Sequence, residues 1–175
     1  MTRLPLLDAA EHPELAQRIR DQRGGRLLAL YRVLLHSPGV ARAWLDFFTV
    51  IRQQCTLGDR LRELAILQVA VANRARYEFD QHVPFALRAG LTPADIESLR
   101  EDRLPGAWTG ADLAVLAYAD AMTRSVQVPD AVFEAVRAHL PPGELVELTA
   151  TVGGYNMVSR FLEAMNIHDE PPTGP

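Results

Sequence analysis

Between Arg60 and Ala72 the chain is apolar almost all round once the first turn is past, with Leu64, Ala65, Ile66, Leu67, Val69 and Ala70 interrupted only by Gln68. A helix without a polar face has to be covered on every side. The run is far shorter than the roughly 20 residues a membrane span needs, so its cover has to come from other helices of a folded core. Leu57-Gly58-Asp59 breaks the chain before it, and Asn73 marks a joint after it. Glu63 stands at its start.

The remaining sequence reads as further helices with short, punctuated joints, without a convincing strand pattern or internal repeat. His12 to Gln22 and Arg26 to Leu35 are separated by Gly24-Gly25. Ser37 and Pro38 supply an N-cap and a first helical residue for a third helix reaching about Gln54. The helix after Asn73 ends before Gly90, the expected left-handed residue just past its end. Pro84 falls inside it, and the missing donor predicts a kink near Asp80 or a restart at Val83. Thr92-Pro93 and Thr109-Gly110 open two more helices, to about Arg100 and Arg124, with a loop through Pro105 and Gly106 between them. Val128-Pro129-Asp130 opens another, which ends at Pro141-Pro142-Gly143. The last runs from Glu144 to about Asn166, and its paired Gly153-Gly154 predicts close backbone packing or a local break. The expectation is all-α: a compact bundle of about seven to eight helices, with residues 1–24 as an N-terminal helical extension, 25–167 as the main domain and 168–175 as a disordered tail.

The 175 residues suit one domain, and an apolar share of 48% is enough for a sizeable core. A net charge of −4 with dispersed arginines argues against nucleic acid or an anionic membrane as partner, since either needs a clustered positive face. The opening Met-Thr-Arg-Leu-Pro-Leu-Leu-Asp is too short and too soon charged for a signal peptide, so a cytoplasmic location is expected. Cys55 is the sole cysteine, which excludes an intramolecular disulfide, a dithiol redox centre and a multi-cysteine zinc site. His12, His36, His139 and His168 sit beside helix ends or in tails without metal-ligand spacing, and no metal or cofactor is expected.

The dense polar constellation is Glu63 with Glu78 and His82. At positions i and i+4 Glu78 and His82 stand one above the other on a helical face, close enough to share a proton. A carboxylate that holds an imidazole is a general acid/base unit. Each group also has a plain structural reading. Glu63 in a first turn is favoured by the helix dipole and can pair with Arg60 or Arg62, and Glu78 with His82 can be an ordinary surface pair. Tyr77 and Phe79 suit core or interface packing.

Arg62-Glu63-Leu-Ala-Ile-Leu, Tyr77-Glu78-Phe-Asp-Gln-His82, Ala89-Gly90-Leu-Thr92 with Asp95-Ile96, and Tyr155-Asn156-Met-Val-Ser-Arg160-Phe together resemble the carboxymuconolactone decarboxylase and alkylhydroperoxidase D-like proteins. The resemblance covers about residues 25 to 167 and implies an all-helical fold. In the peroxidase branch a Cys-x-x-Cys pair works with an upstream glutamate and a following histidine. Glu63 and His82 match those two, but the cysteine positions fall at Ala75 and Glu78, so neither sulfur is present. Such a thiol peroxidase survives only if Cys55 is peroxide-reactive. The decarboxylase branch places a glutamate four residues before its histidine, which matches Glu78 and His82, and works without metal or organic cofactor.

The resemblance therefore implies a lyase acting on a small unsaturated carboxylated molecule, with His82, Glu78 and Glu63 as its proton-handling set. Arg62, Tyr77 and Arg160 are the substrate-binding candidates, with Arg76 a further possible holder of a carboxylate. It also implies a homo-oligomer, a trimer or hexamer. Tyr155, Asn156 and Arg160 read as structural first and pocket-forming second. A non-catalytic oligomeric binding protein is the third reading.

Overall fold

Nine α-helices and a 3₁₀ turn at Ala9–Glu11 make up the regular structure among the described residues, and no strand is present there. The structure is a computed structural model that describes residues 1–101 and 108–169. The protein is all-α, with one helix more than the upper expectation. The loop expected through Pro105 and Gly106 and the tail from Glu170 lie outside the described residues.

The chain divides into two compact units, one of Met1–Gln54 with the segment from Leu162 onward, the other Cys55–Phe161. In the first, α1 (Pro13–Gln22), α2 (Ala29–Leu34) and α3 (Pro38–Gln53) bury one stripe each. Leu15, Ala16 and Ile19 point inward from α1, and Trp44, Leu45, Phe48 and Ile51 from α3, all at helical spacing. Arg23 donates from Nε to the Tyr31 hydroxyl at 2.9 Å and ties the glycine-rich joint to α2. Pro38 opens α3 as expected, although the Ser37 side chain makes no capping bond.

The second unit is built around α4 (Asp59–Asn73). Every residue from Arg62 to Ala70 is buried, as the all-round apolar pattern requires. Packed against it are α5 (Arg76–Arg88), α6 (Pro93–Arg100) and α7 (Gly110–Ser125). Then α8 (Asp130–Arg137) lies on α7, and α9 spans Pro142–Met165. Thr92 and Thr109 are the N-caps the sequence predicts, each accepting from the backbone N–H three residues on, and Asp95 or Asp112 reaches back to complete a capping box. Gly90 takes φ +91° just past α5, the conformation glycine tolerates best.

The restart expected at Val83 does not occur, and the local break that was one alternative at Gly153-Gly154 is absent. Helix α5 runs unbroken through Pro84. Asp80 and Pro84 both face solvent, so water can satisfy the Asp80 carbonyl that the proline leaves without a donor. The joint expected at Asn73 falls one residue on, at Arg74, whose φ of 58° turns the chain between α4 and α5. Helix α9 likewise continues through Gly153, where an added Cβ would lie 3.6 Å from Met122 Cε, an ordinary contact distance.

Candidate functional site

Glu63 occupies the second turn of α4 and is 2% exposed, an uncommon place for a carboxylate. The turn that leads into α4 is held from α9: Glu147 accepts hydrogen bonds from the backbone N–H groups of Thr56 at 2.8 Å and Leu57 at 2.7 Å. The sharp left-handed turn at Arg74 then folds α5 back onto α4, bringing His82 opposite Glu63 across 19 residues of sequence.

His82 is buried, and both of its ring nitrogens face carboxylates. Nδ1 lies 2.8 Å from Glu63 Oε2, and Nε2 lies 3.3 Å from Glu78 Oε1. Burial alone would push the imidazole toward its neutral form. The charge and hydrogen bond of Glu63, with those of Glu78, outweigh it and raise the pKa from 6.5 to about 9. At neutral pH the ring is therefore an imidazolium that donates from Nδ1 to Glu63 and pairs through Nε2 with Glu78.

Arg62 supplies the second positive charge. Its Nη2 is 3.5 Å from Glu63 Oε1 and its Nη1 is 2.8 Å from Asp59 at the head of α4. Two buried carboxylates, one imidazolium and one guanidinium sum to zero, which is what a low-dielectric interior demands. The Arg62 Nε is buried with no hydrogen-bond partner among the described residues.

Two aromatic rings complete the surroundings of His82. Tyr155 of α9 meets it edge to face at 5.0 Å between centroids, and Phe85, one turn along α5, lies at 5.6 Å. Phe85 was legible as the i+3 neighbour of His82. Tyr155 sits on a distant helix, where spacing carries no signal.

Glu63, Glu78, His82 and Arg62 thus come together. The other substrate-binding candidates are placed differently. Tyr77 is buried in the core. Arg160 donates from Nη1 to the Asn156 carbonyl at 3.2 Å and to its side chain at 2.5 Å. Arg76 is exposed and pairs with Asp80 at 3.7 Å. Arg60, one of the two expected partners of Glu63, instead grips Asp112 with two bonds of 3.2 Å.

Cys55 is half-buried, and burial together with the nearby Glu147 carboxylate pushes its thiol pKa up. A protonated thiol is a poor nucleophile toward peroxide. Among the described residues no group of three or more His, Cys, Asp or Glu is arranged to hold a metal ion. No described helix is long and apolar enough to cross a membrane.

Residues 38–121 match the sequence profile of the carboxymuconolactone decarboxylase family. A protein of unknown function from Agrobacterium tumefaciens, whose name likens it to the antioxidant defence protein AhpD, is 25% identical over 78% of this chain and 93% of its own, with a TM-score of 0.71. A peroxidase-related protein from Ralstonia eutropha JMP134, described as an alkylhydroperoxidase AhpD core, reaches a TM-score of 0.84 at 19% identity over 98% of this chain and 93% of its own. The debrominase Bmp8, in a cysteine-to-alanine variant bound to 2,3,4-tribromopyrrole, gives 0.81 at 19% identity over 95% and 92%. No sequence among curated proteins matches. Residues 38–121 thus carry the carboxymuconolactone decarboxylase family profile, and the fold is similar to that of AhpD-like proteins.

Proposed function

We propose that this protein is a cofactor-independent acid/base enzyme, a lyase that removes carbon dioxide from a small unsaturated carboxylated molecule. The observation that carries the reading is the buried His82 imidazolium between Glu63 and Glu78, a proton donor kept charged at neutral pH by two carboxylates. When a carboxylate leaves as carbon dioxide, the pair of electrons from the broken C–C bond passes into the conjugated system. His82 protonates the resulting dienolate from Nε2, and Glu78 is placed to help return the proton. The contact at Nε2 is the longer of the two and the one a substrate can displace, while the 2.8 Å bond to Glu63 holds the ring in place.

The thiol-peroxidase alternative is disfavoured by Ala75 and Glu78 at the cysteine positions and by the raised pKa of Cys55. The test is a panel of small unsaturated carboxylic acids assayed for carbon dioxide release in deuterated water. The expected result is release with one deuterium incorporated into the remaining product, at the carbon that bore the carboxylate or at its conjugated position, lost in a Glu78→Gln variant that melts as the parent does. Release that survives unchanged in that variant, or a panel without a single substrate, contradicts the reading.

A further inference from the structure

The catalytic candidates are buried, so a ligand needs a way to them, and the half-buried group against His82 is Phe85. Over the Phe85 ring lies the guanidinium of Arg88, its carbon 4.5 Å from the ring centroid. Arg88 is the last residue of α5 and exposed, and among the described residues no carboxylate pairs with it. The arginines first expected to receive a substrate carboxylate are engaged elsewhere: Arg62 with Asp59 and Glu63, Arg76 with Asp80, and Arg160 with Asn156.

We propose that Arg88 and Phe85 form the anion-receiving way in to His82: Arg88 takes the carboxylate of an incoming planar acid, and Phe85 is the shutter between that acid and the imidazolium. The chemistry follows from how arginine stacks. A guanidinium uses its flat face on an aromatic ring and keeps its edge N–H groups for hydrogen bonds, so the stacked Arg88 can fork a carboxylate without leaving Phe85. An acid gripped there lies beside the Phe85 ring, and a planar, unsaturated body can replace that ring against His82 when Phe85 turns aside. Phe85 and His82 share one face of α5 at i and i+3, so rotation of one half-buried side chain about its own bonds suffices and no helix has to move.

The inference rests on the reading that a carboxylated molecule reaches His82, and its test is independent of turnover. The probes are benzoate and the uncharged benzamide, added to the ¹⁵N-labelled full chain while the two ring N–H signals of His82 are followed by NMR. Benzoate is expected to shift these signals saturably at about 10 mM or below, and benzamide to leave them unmoved. Arg88→Ala should weaken benzoate at least about tenfold, and Arg88→Lys should recover part of that loss, since lysine keeps the charge but not the fork. Phe85→Leu, checked for folding by its melting temperature, should speed solvent exchange of the imidazolium protons. Benzoate binding indifferent to Arg88, equal binding of benzamide, or no shift of the His82 signals would overturn the proposal. If benzoate arrives through Arg88 while no acid ever loses carbon dioxide, the lyase reading falls and the way in stands.

Discussion

His82 decides between the chemical and the structural readings of this chain, and the residue scale is where its two glutamates can be told apart. Because its pKa in the folded protein, about 9, lies above the unfolded 6.5, the stability that the imidazolium adds is complete below about pH 6.5. It is lost as pH rises through about 9. Urea midpoints taken between pH 6 and pH 10 should fall across that window in the parent, and the fall should move to lower pH in Glu63→Gln. A midpoint flat across the range would contradict a charged His82. Removing the ring itself leaves two buried carboxylates with only Arg62 to balance them, so His82→Gln should cost about 3 to 5 kcal/mol, measured by denaturant unfolding at pH 7. Part of this site was legible in the sequence. The i,i+4 spacing gave the contact of Glu78 with His82, whereas the shorter bond, from Glu63, depends on the turn at Arg74 and on the packing of α5 against α4.

At the scale of elements, local chemistry predicted well where a helix end is closed by its own residues. Thr92 and Thr109 are the N-caps expected, and Asp95 and Asp112 complete a box at each. Thr92→Ala should cost about 1 kcal/mol in thermal unfolding, the ordinary worth of a cap. Asp112 does more. It is buried, caps α7 and accepts two bonds from Arg60, so Asp112→Ala should cost clearly more than the loss of the Thr92 cap, about 3 kcal/mol or above by the same measurement. Equal losses would mean that the Arg60 pair adds nothing. The restart expected at Val83 does not occur, because a proline's effect depends on which way its lost bond faces. Sequence names the missing donor but not the solvent that replaces it. The role of Glu147 was equally hidden, since it caps a turn some ninety residues away.

For the whole molecule, the all-round apolar α4 was the clearest sequence signal, and it forms the buried centre of the unit that carries the site. The sequence offered Arg60 and Arg62 alike as partners of Glu63, and nothing in the spacing says that Arg62 takes that place while Arg60 turns to Asp112. The homo-oligomer that the superfamily resemblance implies is a separate expectation. Light scattering should give a mass at a multiple of 19.4 kDa, and a single-chain mass would contradict it. The central claim is that a proton sits on His82 at neutral pH because two buried carboxylates hold it there. The direct measurement is the ring ¹⁵N titration of His82 by NMR in the full chain. A pKa near 9, with both ring N–H protons observable at pH 7, is the predicted result. A neutral ring at pH 7, titrating at or below the ordinary 6.5, would contradict the account and leave His82 a packed residue without acid to give.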